Sequence, residues 1–278
     1  MRGRQARFPV AYNAPMDKSL TEWRSAAEEV ARLGAAKLED WRGRFAAREK
    51  AHADLVTEAD HASQQAIRTF LEARFPGHAF LGEEDPEAKA GRVSPDVPTW
   101  IVDPLDGTAN YVHDVPAYCV SVGLMAGGEL VVGAIYDPRQ DEMFSAATGQ
   151  GATLNGKPIR VSPVAELRSA LLSTGFPPDP DCQEGNLRWW REFTYKAQAL
   201  RRTGSTALNL AYVAAGRFDG YWAFDNWAWD VAAGVVLVRE AGGVVTRADG
   251  SPCDPFHQDI LAANPAVHAE MLAALRGG

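Results

Sequence analysis

The spacing of apolar residues changes along the chain from a helical period to a strand-forming one. Apolar side chains recur every three to four positions after Ser19 and again in residues 60–74, as expected for helices with one buried face. Ser19 and Glu22 have the S-x-x-E spacing of a capping box, so we predict that the first helix begins at Ser19. Pro76-Gly77 is predicted to end the second helix.

Between residues 99 and 161 the apolar runs are shorter and are separated by turn-forming residues. The predicted strands are 100–102, 118–125, 130–136, 142–146, 152–154 and 158–161. Asn155-Gly156 joins the last two, and this pair favours a tight hairpin because a type I′ turn needs positive φ at both central positions. This region is predicted to form an antiparallel meander.

Beyond Pro163 strands alternate with helices, which indicates a layered second half. The predicted strands are 170–173, the end of 217–222, 244–245 and 260–262, and the predicted helices are 186–195, 205–215, 230–241 and a last one from Pro265. We expect a flexible extension over residues 1–18, an α+β half over 19–163 and an α/β half over 164–278. The two halves are expected to share one interface.

Composition narrows the class of protein. The 278 residues include 28 Lys and Arg against 36 Asp and Glu, a formal charge of −8, whereas a general nucleic-acid-binding protein needs a basic face. No apolar stretch approaches the roughly 18 residues that a membrane-spanning helix requires. The three cysteines, Cys119, Cys182 and Cys253, form no zinc-binding cluster and are expected to be free thiols in a reducing cytoplasm.

Four acidic clusters lie at the predicted ends of helices or strands. They are residues 54–60, 82–85, 103–108 and 229–230. The third, D-P-L-D-G-T, is predicted to form a loop after a strand, in which Pro104 and Gly107 shape a tight turn. Such a turn aims Asp103, Asp106 and the Leu105 carbonyl at one point, and this set of oxygen atoms suits a divalent cation.

The same hexapeptide also fits an ordinary surface turn. Asp, Gly and Pro are common turn formers, so this alternative stays open on these six residues alone. The D-x-D-x-D-G loop of EF-hands and the D-x-D-G-T motif of haloacid-dehalogenase-type phosphatases are excluded by spacing, because two residues separate Asp103 from Asp106.

The four clusters, in this order, resemble the inositol monophosphatase family of metal-dependent, lithium-sensitive phosphatases. D-P-L-D-G-T at 103–108 and W-D-V-A-A-G at 229–234 are specific as a pair. Further similar strings are D-L-V-T-E-A-D at 54–60, G-E-E at 82–84, G-S-T-A-L-N at 204–209 and E-A-G-G at 240–243. The resemblance covers about residues 20 to 275. It implies an α+β fold, a layered αβαβα sandwich with the active site between its halves.

The resemblance implies a site for two Mg²⁺ ions and a weaker third. Glu83, Asp103 and the Leu105 carbonyl correspond to the family's ligands of the first ion. Asp106 and Asp230, together with Asp103, correspond to those of the second. The third ion is held near Glu83, mostly by water.

The resemblance also implies that a metal-activated water attacks the phosphate directly. Thr108 and Asp60 correspond to the pair that handles its proton, and Glu83 belongs to the catalytic set. The implied substrate-binding residues are Asp106, Gly107, Thr108, Gly204, Ser205, Thr206 and Asp230. Ser205 by itself also fits an ordinary helix N-cap.

The chain departs from the family pattern in the residues before Trp229-Asp230. Seven residues before Asp230 the family carries an inositol-directed glutamate, and this chain has Ala223, which puts strict inositol specificity in question. Lys50 lies one position away from the family's mobile-loop lysine. The nearby aromatic residues are expected to belong to the core rather than to a pocket wall; they are Trp222, Phe224, Trp227 and Trp229.

The sequence therefore predicts a phosphoric monoester hydrolase acting on small polyol or sugar phosphates, nominally inositol monophosphate. Histidinol phosphate, fructose 1,6-bisphosphate and 3′-phosphoadenosine 5′-phosphate stay open as alternative substrates. A non-catalytic regulatory partner that keeps the fold is a hypothesis of a different class, and the complete ligand set argues against it. The resemblance further implies a homodimer. A cytoplasmic location with neither a nucleic-acid nor a membrane partner is expected from the cysteines, the acidic charge and the short apolar runs.

Overall fold

The computed structural model describes residues 14–51, 54–85, 93–177 and 183–276. The predicted extension up to residue 13, the side chain of Lys50 and Cys182 lie outside the described residues. Cys119 and Cys253 are free thiols, as predicted.

Helices and strands alternate irregularly along the described chain. The helices are α1 Ala14–Trp41, α2 Glu58–Arg74, α3 Thr108–Val112, α4 Glu184–Lys196, α5 Thr206–Ala214, α6 Ala228–Glu240 and α7 Pro265–Arg276. The first nine strands are β1 Arg48–Ala51, β2 Asp54–Val56, β3 Ala79–Gly82, β4 Thr99–Asp106, β5 Cys119–Ala126, β6 Glu129–Asp137, β7 Glu142–Ala147, β8 Ala152–Leu154 and β9 Lys157–Pro158. The others are β10 Leu171–Thr174, β11 Ala199–Arg201, β12 Gly220–Ala223, β13 Val244–Thr246 and β14 Ile260–Ala263.

The first large sheet is the predicted meander with one strand added at its edge. Its order is β3-β4-β5-β6-β7-β8-β9, and every neighbouring pair is antiparallel except β3 with β4. Alternate side chains of β5 and β6 face opposite ways, so both faces of the sheet are buried. Helices α1 and α2 cover one face, and α6 covers the other.

The second large sheet lies on the far side of α5 and α6. Its order is β11-β10-β12-β14-β13, with β10 parallel to both of its neighbours. On β12, Tyr221 and Ala223 face α5 and α6, whereas Trp222 packs with Phe193 of α4 and Met271 of α7. The layers are therefore α1/α2, sheet, α5/α6, sheet and α4/α7, which confirms the predicted αβαβα sandwich.

Helix α6 packs closely on the first sheet because Ala232 and Ala233 of the helix face glycines of β5 and β6. A Cβ on Gly133 of β6 would lie 2.3 Å from the carbonyl oxygen of Ala233. A Cβ on Gly123 of β5 would lie 2.7 Å from the Cβ of Ala232. The helix backbone thus rests directly on the sheet, and this contact sets the position of Asp230 near its N-terminus.

Two predicted boundaries are wrong. Helix α1 begins at Ala14, so Ser19 lies inside the helix instead of capping it. Pro15 falls in the first turn, where a missing amide costs no intrahelical hydrogen bond. The second hairpin strand is also shorter than predicted, since β9 ends at Pro158.

The D-P-L-D-G-T segment is not a loop after a strand, because β4 runs through it to Asp106. Its pairing with β5 is irregular between Asp103 and Asp106, as in a β-bulge. The irregularity re-aims side chains while the sheet continues. The hairpin of β1 with β2 and the edge strand β11 are further elements that the sequence analysis did not predict.

The division into halves at residue 163 stays a prediction. Helices α5 and α6 of the second segment pack directly on the sheet of the first, so one hydrophobic cluster contains residues of both. Among the described helices, none combines the length and the apolar character needed to cross a membrane.

Candidate active site

The turn at the end of β4 holds Asp103 beneath the surface. Its carboxylate accepts a hydrogen bond from the Leu105 amide at 2.9 Å, and the side chain is almost fully buried. Gly107 follows with φ of +95°, and a Cβ there would lie 2.8 Å from the Ala117 carbonyl oxygen. Only glycine suits both requirements, which accounts for the glycine of the motif.

Asp106 points from β4 to the beginning of α5. Its Oδ2 accepts hydrogen bonds from the Ser205 hydroxyl at 2.5 Å and the Ala207 amide at 2.6 Å, and its Oδ1 accepts one from the Thr206 amide at 3.2 Å. Cys119 adds a weak thiol donor at 3.7 Å. Burial raises the pKa of Asp106 to about 6, although these donors act in the opposite direction.

The Ser205 hydroxyl has two roles. Its hydroxyl accepts a hydrogen bond from the Leu208 amide at 3.2 Å, as an N-cap does, while it donates to Asp106. Ser205 is thus both the N-cap of α5 and a part of the site.

The buried Asp60 and the half-buried Thr108 lie within hydrogen-bonding distance of each other. The Thr108 hydroxyl lies 3.3 Å from Asp60 Oδ1 and 3.1 Å from the Leu105 carbonyl oxygen. Asp60 Oδ2 accepts hydrogen bonds from the Thr57 amide at 2.9 Å and the Thr57 hydroxyl at 2.6 Å. Burial, and after it the charges of Glu83 and Glu84, raise the pKa of Asp60 to about 7.

Glu83 and Asp230 reach the same place from two other elements. The Glu83 amide donates to the Val102 carbonyl at 3.1 Å, which extends the pairing of β3 with β4 by one residue. Asp230, in the first turn of α6, accepts a hydrogen bond from the Trp227 amide at 2.7 Å. Both side chains line one cavity together with Asp106.

The pKa of Asp103 shows that its carboxyl group interacts with the other acidic side chains of the site. Burial raises its pKa well above the usual value, and the neighbouring charges of Glu83, Asp106 and Asp230 raise it further. Buried carboxylates that repel one another in this way favour either protonation or a cation between them. Four acidic side chains from three separate motifs are thus brought into one electrostatic neighbourhood.

The cavity has two parts that share a wall of Asp106, Gly175, Phe176, Pro177 and Thr206. The aromatic lobe, of about 190 Å³, is further lined by Glu83, Phe224, Asp225, Asn226, Trp227, Trp229 and Asp230. The polar lobe, of about 460 Å³, is further lined by Gly107, Thr108, Ala109, Asn110, Gln183, Arg202, Thr203, Gly204 and Ser205.

The expectation that the nearby aromatic residues belong to the core is correct for Trp222, which is 1% exposed. It is wrong for Phe224 and Trp227, which are half-buried and line the aromatic lobe. Trp229 belongs both to the core and to the cavity wall, since it is 2% exposed and still lines the lobe. The alternation of β12 ends at Ala223, so the residues that follow can turn toward the cavity.

The donor set is chemically suited to Mg²⁺, because it consists of carboxylate and carbonyl oxygens. However, within the part of the chain that the structure describes, no three His, Cys, Asp or Glu side chains already stand in a metal-binding arrangement. The ligand set of Glu83, Asp103, Asp106 and Asp230 with the Leu105 carbonyl therefore stays a prediction.

Several residues of the site were not assigned from the sequence. Thr57 lies within the first motif and was left without a role, although it is the main donor to Asp60. The Asn110 amide group donates to the carbonyl oxygens of Ala117 at 2.6 Å and Thr203 at 2.8 Å, which ties the motif to the loop before α5. No sequence motif pointed to Phe176 or Arg202. They contact each other because they follow the neighbouring strands β10 and β11 of the second sheet.

Comparison with known proteins places the chain in a family. The inositol monophosphatase family model matches residues 19–277. The chain is 44% identical over 253 residues to an inositol-1-monophosphatase of Synechocystis sp., a match that covers 90% of this chain and 87% of that protein. It is 42% identical over 231 residues to the Nus factor SuhB of Pseudomonas aeruginosa, with 82% and 85% covered.

A solved structure agrees with these relatives. The inositol monophosphatase from Anabaena matches with a TM-score of 0.80 at 40% identity, covering 93% of this chain and 96% of that one. The fold, the order of the motifs and the sequence identity thus lead to one conclusion. The chain belongs to the inositol monophosphatase family.

Proposed function

We propose that this phosphoric monoester hydrolase cleaves small polyol or sugar phosphates with Mg²⁺ in the cavity described above, inositol monophosphate being the nominal substrate. One observation carries the proposal. Glu83, Asp106 and Asp230 come from three different motifs and line one cavity, and Asp103 is buried close enough for its pKa to respond to all three.

The residues that would hold Mg²⁺ are Glu83, Asp103, Asp106, Asp230 and the Leu105 carbonyl, for two ions and a weaker third near Glu83. When bound, Mg²⁺ supplies a Lewis acid that lowers the pKa of water and offsets charge on the phosphate and the leaving alcohol. Burial, and after it the repulsion from Glu83, Asp106 and Asp230, raises the pKa of Asp103, and the carboxylates fit this role because a cation relieves that repulsion.

Thr108 and Asp60 are proposed to handle the proton of the attacking water. The Thr108 hydroxyl donates to Asp60, so it can pass a proton to that carboxylate and take one from water on its other side. A pKa of about 7 lets Asp60 accept this proton and release it again near neutral pH. Thr57 keeps the carboxylate oriented throughout.

The phosphate is proposed to lie at the wall shared by the two lobes. Gly107, Thr108, Gly204, Ser205 and Thr206 line the polar lobe there. The first amides of α5 already donate, two of them to Asp106 and the next to the Ser205 hydroxyl, so they hold the Asp106 carboxylate in place and do not bind the phosphate.

The decisive experiment measures phosphate release from inositol 1-phosphate during a Mg²⁺ titration, for the wild type and Asp103→Asn. Asparagine retains the oxygen that accepts from Leu105, so the turn is kept while the charge is lost. We expect kcat/KM to fall by roughly 10²- to 10³-fold. Asp96→Asn, which removes an exposed carboxylate outside the cavity, is the control and should behave as wild type.

Unchanged turnover in Asp103→Asn would contradict the ligand assignment. A wild type that hydrolyses no ester of a substrate panel containing sugar, histidinol and nucleotide phosphates would instead favour the regulatory-partner hypothesis. The same panel decides between inositol monophosphate and the alternative substrates.

Three further properties are proposed on family resemblance. Lithium is expected to inhibit phosphate release, which a Li⁺ titration at fixed Mg²⁺ tests. A homodimer is expected, and Leu187 and Tyr195 on α4 offer exposed apolar surface to a second copy. Light scattering on the purified protein tests this, and fractionation of cells tests the expected cytoplasmic location.

A further inference from the structure

Helix α2 contacts two of the motifs that supply the proposed metal ligands. Asp60, Gln64 and Arg68 follow one another at intervals of four residues, so their side chains are neighbours on the surface of the helix. Asp60 contacts Thr108 of the D-P-L-D-G-T motif. Gln64 and Arg68 instead reach the turn after β3, which carries Glu83. The helix thus connects the proposed proton-transfer pair to the turn that holds a proposed metal ligand.

The turn after β3 is closed by Asp85. The Asp85 amide donates to the Gly82 carbonyl oxygen at 3.1 Å, and the Asp85 carboxylate accepts from the Gly82 amide at 3.0 Å. Between these two residues, the Glu83 amide donates to the Val102 carbonyl oxygen of β4. The backbone that carries the Glu83 side chain is therefore held by β4 and by the closed turn.

Gln64 holds this turn against α2. Its Oε1 accepts from the Glu84 amide at 3.0 Å, and its Nε2 donates to Asp85 Oδ1 at 3.0 Å. The side chain is 6% exposed and lies directly against Gly82, where a Cβ would be 2.3 Å from Oε1. One buried amide group thus bonds to the turn through both its oxygen and its nitrogen, which fixes the turn relative to the helix.

Arg68 strengthens the same contact. Its guanidinium forms an ion pair with Asp85 Oδ1, and the guanidinium carbon lies 4.2 Å from the centroid of the Phe80 ring. Charge-assisted hydrogen bonds of this kind are stronger than neutral ones. Asp85 accepts from Gly82, Gln64 and Arg68, and it is not among the described residues that line either lobe of the cavity. Its carboxylate therefore serves the turn, whereas that of Glu83 lines the cavity.

We propose that Gln64 and Asp85 are positioning residues for Glu83, a reciprocal donor and acceptor pair that sets the affinity of the site for Mg²⁺. The inference rests on the proposed phosphatase function and its Mg²⁺ site. Hydrogen-bonded groups behind a metal ligand fix its orientation, and their loss weakens metal binding by roughly 10- to 100-fold. Gln64 lines neither lobe within the described residues, so it acts only through the turn.

The test exchanges the two partners. Gln64→Glu sets two carboxylates against each other. Asp85→Asn turns an amide group toward either Gln64 or the Gly82 amide, so one donor loses its acceptor. In the combined variant the new carboxylate accepts from the Glu84 amide and from the new amide group, whose oxygen accepts from Gly82. Arg68, four residues beyond position 64, can pair with the new carboxylate.

The main readout is the Kd for Mg²⁺, measured by calorimetric titration of MgCl₂ without substrate. We expect each single variant to raise it by about tenfold and the combined variant to restore it to within about threefold of the wild type. The sign separates positioning from simple charge, since Gln64→Glu adds a negative charge near the site and Asp85→Asn removes one. Charge alone would strengthen Mg²⁺ binding in the first variant and weaken it in the second.

Two further measurements and two controls complete the experiment. At saturating Mg²⁺, kcat for inositol 1-phosphate should stay close to the wild-type value in all three variants, because the filled site is the same. Urea denaturation in EDTA reports the stability of each protein without metal. Gln65→Glu makes the same change on the exposed neighbour of Gln64, and Asp96→Asn does so on an exposed carboxylate outside both lobes. Both controls should keep the wild-type Kd.

The possible results separate the two proposals. Mg²⁺ affinities that follow the added or removed charge, or that do not change, overturn the positioning role. A combined variant that binds Mg²⁺ as weakly as the single variants, or a loss of urea stability with unchanged affinity, also overturns it. If a single variant does not fold, recovery of folding and affinity in the combined variant supports the reciprocal pair, and its absence contradicts it.

In each of these cases, a wild type that binds Mg²⁺ and hydrolyses inositol 1-phosphate leaves the phosphatase function intact. A wild type that does neither defeats the proposed function itself, and the inference with it.

Discussion

Asp60 and Asp106 are two buried carboxylates of one site, yet their surroundings differ. Asp60 belongs to the first turn of its own helix, α2, and Thr57 supplies two of its three hydrogen-bond donors. Asp106 lies on a strand and accepts from the first turn of a different helix, α5. Burial raises the pKa of both, to about 7 for Asp60 and about 6 for Asp106.

The difference shows how one fold assigns two roles to the same side chain. Every described donor to Asp106 comes from another element, so its carboxylate joins β4 to the beginning of α5 and is fixed in place. Asp60 has one rotatable hydroxyl, that of Thr108, between it and the polar lobe. We therefore expect Asp106 to act as a fixed charge and Asp60 as a group that exchanges protons.

The largest expected effect is that of Asp106→Asn. We expect kcat/KM to fall by roughly 10³-fold, with a higher Mg²⁺ requirement, because a fixed charge is lost from the reaction centre. The new amide group must also face the Thr206 or the Ala207 amide, so one buried donor loses its acceptor. That costs about 1–3 kcal/mol of the free energy of unfolding, which urea denaturation measures.

Asp60→Asn is expected to lower activity less than Asp106→Asn does and, unlike it, to leave the Mg²⁺ requirement unchanged. Its oxygen can accept from Thr57, and its amide group can donate to the Thr108 hydroxyl, so each hydrogen bond retains a partner. We expect kcat to fall by about 10²-fold because proton transfer is lost, with an unchanged Mg²⁺ requirement. The stability should be unchanged at about pH 5, where Asp60 is protonated in the folded protein. Equal Mg²⁺ shifts in Asp60→Asn and Asp106→Asn would abolish the distinction between the two residues.

The pH dependence of stability provides a third test. The pKa of Asp60 is about 7 in the folded protein and about 3.9 in an unfolded chain, so the folded state binds more protons between these values. The contribution of Asp60 to stability is complete below about pH 3.9 and is lost as the pH rises toward 7. In EDTA, the wild type should lose about 2 kcal/mol more than Asp60→Asn between about pH 5 and pH 7. Parallel stability curves would show that Asp60 is ionised throughout.

The smallest effects come from the paired hydroxyls. Thr57 accepts from the Ala59 amide and donates to Asp60, and Ser205 accepts from the Leu208 amide and donates to Asp106. Thr57→Ala and Ser205→Ala should each cost about 1 kcal/mol of the free energy of unfolding, the usual loss of an N-cap. The Thr57 hydroxyl lowers the pKa of Asp60, so only Thr57→Ala should move the acid limb of the kcat profile to higher pH. Movement of that limb in Ser205→Ala would contradict the assigned roles.

Much of this site could be predicted from the motifs through which the chain resembles the family. The motif residues Asp60, Asp103, Asp106 and Thr108 occupy one neighbourhood, as the resemblance implied. The assignment of D-P-L-D-G-T to a loop was wrong, because proline and glycine indicate a turn whether or not strand pairing continues through an irregularity. The start of α1 was misplaced for a similar reason, since an S-x-x-E string inside a helix looks the same as one that caps it.

The sequence by itself determined the helices, the strands of the meander and the motifs, because apolar periodicity and motif spacing are local properties of the chain. The motifs implied the family, and the resemblance to the family implied the layered fold class. Only the tertiary structure decided which helix supplies amides to Asp106, and which of the aromatic rings belong to the core and which to the cavity wall. These contacts join β4 to α5, and β10 to the segment after β12, across about fifty to a hundred residues of chain. Such contacts depend on how the two sheets stack around α5 and α6, and no local pattern encodes that arrangement.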